Sequence, residues 1–197
     1  MMFWQRIKGV FSLDREVFRD IEQDESSLSQ AAIIVLLVAI LAGIGAAGAA
    51  AMGAAAVQSL SNFAGDLDLP SLTPSFGAAG AFINAFVGAF ISWVVWALVT
   101  YFIGVKVFNG ESTVSEMMRL IGFAQAPRLM SVFSFIPCIG FLFSFAGWIW
   151  AIVTSIIAIQ EGVDLDAGKS FATILLSIVA VIIVNILIVG PILNLIF

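Results

Sequence analysis

Three groups of residues in this 197-residue chain have types and spacings that could do chemistry. In LAGIGAAGAAA, from Leu41 to Ala51, the residues Gly43, Gly45 and Gly48 spell G-x-G-x-x-G. Asp66 and Asp68 follow at about the distance at which a dinucleotide site places its ribose-binding carboxylate. In GVDLDAGKS, from Gly162 to Ser170, a glycine precedes Gly-Lys-Ser as in a phosphate-binding loop. The third group centres on Arg128, a cation inside an apolar stretch. Gln125 and Pro127 lie beside it, Pro137 and Gly140 lie further on, and Glu116 and Glu161 stand in the nearest loops.

The first two groups fail on context. A dinucleotide fingerprint needs a strand before it and a helix opening at its third glycine, so that free amides point at the pyrophosphate. Here IIVLLVAI runs straight into the glycines with no turn signal, so their amides are bonded within one helix. The small residues at spacings of three and four (Gly43, Gly45, Ala47, Gly48, Ala49 and Gly53) read instead as a face that lets another helix approach closely in lipid. The phosphate loop requires four residues between its glycine and Gly-Lys-Ser; here there are five, and Asp164 and Asp166 would repel phosphate. That stretch reads as an acidic loop in which Asp166 caps the next helix and Lys169 sits at an interface. Arg128 is different, because a charge inside a membrane segment is expensive and is a functional candidate by default. Its structural alternative is that Pro127 starts a helix and Arg128 snorkels to the headgroups.

The elements that must carry these residues follow from composition. At 61% hydrophobic and 11% charged, with a mean hydropathy of +1.12, the chain is too apolar for a soluble domain. No charge occurs between Glu25 and Asp66, between Asp68 and Lys106, between Arg128 and Glu161, or after Lys169. Each gap exceeds the roughly 20 residues that cross about 30 Å of hydrocarbon. The chain has no histidine and one cysteine, Cys138, which excludes an internal disulfide and any site built on histidine. A net charge of −5 argues against nucleic acid as a partner. No cofactor and no metal site is expected.

The expected fold is all-α: a five-helix transmembrane bundle preceded by a short amphipathic segment over residues 1–26. In that segment Phe3, Trp4, Ile7, Val10 and Phe11 share one helical face, and Leu13, Val17, Phe18 and Ile21 continue it. Asp14 or Ser12 would cap its second piece, and the segment either lies in the interface or folds against the ends of the spans. The transmembrane part, 27–197, divides into spans at about 27–57, 79–103, 117–136, 140–160 and 170–197. Ser27-x-x-Gln30 resembles a capping box at the first, and Pro191 bends or ends the last. A rival reading takes residues 137–140, PCIG, as the tip of a re-entrant hairpin and leaves three full spans. With five spans every Lys and Arg falls on or near one side. The N-terminus is therefore expected in the cytoplasm and the C-terminus on the opposite side of a cell membrane.

From about Gly122 onward the chain resembles the Yip family, the Ypt/Rab-interacting membrane proteins, in its prokaryotic branch. The resemblance is carried by Ala126-Pro127 entering the third span, by the break at Ile136, Pro137 and Gly140, and by the aromatic fourth span with Trp148 and Trp150. The loop with Glu161 and Lys169 and the N-terminal RIKGVFSLDREVFRDIE also contribute. It implies five spans in the same orientation and no catalytic residues. Eukaryotic members bind prenylated small GTPases, but their Asp-Leu-Tyr-Gly-Pro hallmark does not occur in this chain, so GTPase binding is not carried over. The expected function is a non-enzymatic membrane protein that organises or recruits partners in the lipid bilayer, as a homo-oligomer or with other membrane proteins. The alternative is a small-molecule transporter or lipid-handling protein with a polar path around Arg128. Candidate residues are Gln125, Pro127, Arg128, Pro137, Gly140 and Glu161.

Overall fold

In the computed structural model, which describes residues 1–64, 77–136 and 139–196, every described element is helical. Two short helices, α1 (Phe3–Ser12) and α2 (Arg15–Gln23), precede α3 (Ser27–Ala64). Then come α4 (Gly77–Tyr101), α5 (Val114–Ala124), a 3₁₀ segment (Ala126–Phe135), α6 (Gly140–Gly162), α7 (Ala167–Val184) and α8 (Gly190–Ile196). A π-helical stretch, Phe102–Val107, prolongs α4, and another, Asn185–Val189, joins α7 to α8. Four of these helical stretches are long and apolar enough to cross a bilayer: Ser27–Ser59, Gly77–Val107, Gly140–Gly162 and Ala167–Leu193.

The fifth expected span, 117–136, is not a single helix of that kind. It is an 11-residue α-helix followed by a 10-residue 3₁₀ segment, and the change falls at Gln125, ahead of Pro127. Proline has no amide to donate and disfavours α geometry in the residue before it, so the α-helix stops there. The 3₁₀ form rises about 2.0 Å per residue against about 1.5 Å for α, so the two pieces together extend about 36 Å.

They run antiparallel to α6 along its length. Leu120 packs on Gly162, Thr154 Oγ1 donates to Ala124 O at 3.0 Å, and the carbonyls of Pro127 and Phe133 lie against Gly147 and Gly140. This approach depends on a line of small residues on α6: Gly140, Ser144, Gly147, Ala151, Ser155, Ala158 and Gly162. A Cβ at Gly147 would stand 2.5 Å from Pro127 O, and one at Gly140 would stand 2.6 Å from Phe133 O.

The N-terminal helices fold against the bundle. Val10, Val17, Phe18 and Ile21 are buried in one core with Ile34, Leu120, Ile121 and Ile159, whereas Trp4 stays 69% exposed. Asp14 caps α2 by accepting from Glu16 N at 3.1 Å, while the Ser12 hydroxyl donates back to Lys8 O within α1. Ser27 and Gln30 do not close a capping box. The Ser27 hydroxyl donates to Ile21 O at 2.8 Å and Gln30 Oε1 accepts from Arg6 at 2.9 Å, so both serve to dock α1 and α2. Pro191 neither ends nor sharply breaks the last span. The π stretch just before it absorbs the missing amide, and the helix continues as α8.

Candidate functional site

The candidate residues separate into two places. One is the end of the bundle covered by α1 and α2, where ion pairs gather. The Arg6 side chain is fully buried there; its Nε donates to Asp20 Oδ2 at 2.7 Å and its Nη2 to Asp24. Arg6, followed by the hydroxyl and amide of Ser26, holds the Asp24 carboxyl well below the usual carboxylate range. Glu22 shifts the other way, raised first by burial and then by Glu116 and Asp164.

Glu161 belongs to this end. Its Oε1 accepts from Arg15 at 2.9 Å, and Arg19 lies 2.7 Å from Oε2 as an ion pair without donating a hydrogen bond. Glu116 is likewise engaged, accepting from Thr113 N at 2.8 Å in a capping box on α5. Neither acid reaches Arg128. Asp166 caps α7 through Lys169 N at 3.0 Å, as its position predicts.

The other place surrounds Arg128, well inside the bundle. Pro127 O rests on Gly147, 15 residues from the Gly162 end of α6, which is about 22 Å along a helix. Arg128 borders two cavities of about 320 and 370 Å³, which also share Val38, Ala42 and Trp148. The first adds Ser131, Ser134 and Ser144, and the second adds Gln125, Ser92, Trp96 and apolar residues of α4 and α7.

Hydrogen bonding in this region leaves donors over. Arg128 Nη1 donates to Gln125 Oε1 at 3.3 Å, and no carboxylate pairs with Arg128 among the described residues. Gln125 Nε2 and Trp96 Nε1 are buried donors without a partner. Ser92 and Asn185, by contrast, satisfy each other at 2.9 Å, and Asn185 Nδ2 donates on to Val181 O.

Sequence reasoning singled out Arg128 and Gln125 but missed Trp96 and the three serines, because each sits in apolar sequence where it reads as ordinary helix filling. Spacing gives one usable signal: Ser131 and Ser134 follow Arg128 at the threefold period of a 3₁₀ helix.

Pro137 lies outside the described residues, as do Asp66 and Asp68. Gly140 opens α6, with its amide donating to Ile136 O at 2.8 Å. The fingerprint glycines of α3 are divided. A Cβ at Gly43 would meet the Phe82 ring of α4 at 2.8 Å, but Gly45, Gly48 and Gly53 have nothing within 4 Å of that position. Ala47 is half-buried and Ala49 exposed.

An all-helical bundle with four helices fit to cross a bilayer, and a cation bordering a cavity between them, defines a multi-pass membrane protein. The family model described as Yip1 domain matches residues 8–189, and the chain belongs to that family. No curated protein and no solved structure matches it.

Proposed function

We propose that the protein is a non-enzymatic membrane organiser that crosses the bilayer five times and assembles through helix packing, a second copy of the chain being its first partner. The single observation that carries this reading is the open face of α3. Gly45, Gly48, Ala49 and Gly53 offer almost no side chain to lipid, yet they permit the close helix approach that drives association in membranes. Gly43, on the same helix, already makes such an approach to α4.

Two geometric facts support five crossings with the N-terminus in the cytoplasm. The loop after α4 and the end of α6 meet where Glu111 N donates to Val163 O at 3.1 Å, so residues 114–135 must carry the chain to the opposite end before α6 returns. Arg6, Lys8, Arg15, Arg19, Lys106, Arg119 and Lys169 all belong to the end covered by α1 and α2, as the positive-inside rule requires of the cytoplasmic side.

The test is oxidative crosslinking in native membranes of Ala49→Cys on a Cys138→Ser background. The expected result is a disulfide-linked dimer that Gly48→Leu abolishes, with monomer stability unchanged or higher because leucine is the better helix former. A chain that stays monomeric in membranes at physiological density sinks the assembly reading. A second reading, lipid handling, is favoured by the cavities around Arg128.

A further inference from the structure

We propose that the cavity around Arg128 is a binding site for the phosphate headgroup of an anionic lipid. The inference rests on the lipid-handling reading of this cavity and is independent of assembly through α3. Its first support is an electrostatic imbalance. Among the described residues no carboxylate pairs with Arg128, and its one side-chain hydrogen bond goes to a neutral amide oxygen, Gln125 Oε1. A cation in such surroundings is costly until an anion joins it.

The second support is the sign of what is left unsatisfied. Gln125 is only 4% exposed and its Oε1 is already committed to Arg128, so its Nε2 has only hydrogens to offer. The same is true of the buried Trp96 indole N–H. Arg128, Gln125 and Trp96 border one cavity, and Arg128 also borders its neighbour with Ser131 and Ser134; a guanidinium with spare donors beside residues that carry unpartnered N–H groups calls for an acceptor of several oxygens. A phosphate presents those oxygens to an arginine fork, where charge-assisted bonds are strongest.

The third support is access. Trp148 and Ile182, which border the cavity, are 48% and 52% exposed on the face that meets lipid, and the remaining walls are largely aliphatic. A headgroup can therefore enter sideways while its acyl chains stay against the bundle. Inorganic phosphate offers the same oxygens without the chains, and the experiment separates the two.

The purified full chain, in a neutral detergent, is titrated with phosphatidic acid, with diacylglycerol of identical acyl chains, and with inorganic phosphate, and bound species are read by native mass spectrometry. Saturable binding of phosphatidic acid is expected, at least about tenfold tighter than diacylglycerol. Inorganic phosphate at equal concentration should neither bind nor displace it. Arg128→Gln should lose that preference about tenfold or more, Arg128→Lys should keep part of it, and Gln125→Leu should weaken it less.

Equal binding of phosphatidic acid and diacylglycerol by the unaltered protein overturns the proposal and leaves an apolar groove, and this comparison stands even where a variant fails to fold. Phosphate binding as tightly as the lipid overturns it too, in favour of a free-anion site. A preference that survives Arg128→Gln overturns the assignment of the residue. None of these outcomes bears on the crosslinking through α3.

Discussion

At the scale of single residues, the charged side chains divide by what surrounds them. Glu161 stands among apolar sequence at the end of α6, which makes it a candidate for chemistry, but Arg15 and Arg19 hold it from both sides and fix α2 to α6. Both arginines are about two-thirds exposed, so water screens much of the attraction. Glu161→Gln should therefore lower thermal stability in detergent by only about 1 kcal/mol, and Arg15→Ala in that background should add little, which a double-mutant cycle measures. Gly147 is the opposite case, uncharged and intolerant. Gly147→Val would drive a branched side chain into Pro127 O and should destabilise the protein by about 3 kcal/mol or prevent folding. Gly48→Val on open α3 should cost the monomer less than about 0.5 kcal/mol. Thermal denaturation of the two variants side by side checks the contrast.

At the scale of elements, the α1–α2 cap is the part whose stability titrates. The folded-state pKa of Asp24 is depressed by Arg6, so its contribution is present above the usual carboxylate value of about 3.9 and fades as pH falls below it. Glu22 works the other way: its raised pKa means that protonation relieves an unfavourable charge, beginning above the ordinary glutamate range. Amide-exchange protection of α1 should therefore hold, or rise slightly, on acidification towards about pH 4.5, and then drop below about pH 4. In Asp24→Asn, protection should start lower at neutral pH and lose the acid-dependent drop. A wild-type profile that is flat down to pH 3 would show that the Arg6 pair does not hold the cap. Glycine has a second role at element scale. The line from Gly140 to Gly162 lets a segment of mixed α and 3₁₀ geometry lie against α6, and its extra rise lets 20-odd residues run the length of a 23-residue helix.

For the whole molecule, the decisive quantity is the number of crossings. Four stretches qualify by length and composition, and residues 114–135 are divided between two helix types. With Cys138 replaced by serine, a cysteine introduced at Asp164 should resist an impermeant maleimide added from outside, and one at Ile139 should react. Labelling at Asp164 from outside would mean that residues 114–135 do not cross, reversing the direction of α6 and α7. The 38 residues of α3 extend about 57 Å, far beyond the hydrocarbon thickness, so its exposed Ala- and Gly-rich end continues past the core of the bundle.

Membrane class, helical character and the places of the four long apolar helices were legible in the sequence, because charge gaps and hydropathy act locally along the chain. Arg128 also stood out there as a candidate, since an isolated cation in apolar sequence needs no neighbour to be noticed. Partners were not legible. Which glycines admit another segment depends on what lies opposite, and GIGAAG and the spaced small residues of α6 have the same local chemistry. One is largely open and the other is closed on Pro127 and Leu120. The capping residues at Ser27 and Gln30 likewise fit a local rule, but Arg6 and Ile21, brought near by the fold of α1 and α2, claimed them. Arg128 was visible as a charge; only the tertiary structure decided that Glu161 is out of its reach, that Gln125 faces it with an oxygen, and that the donors around it outnumber the acceptors. Sequence determines each group's chemistry, and packing determines which groups are left without a counterpart.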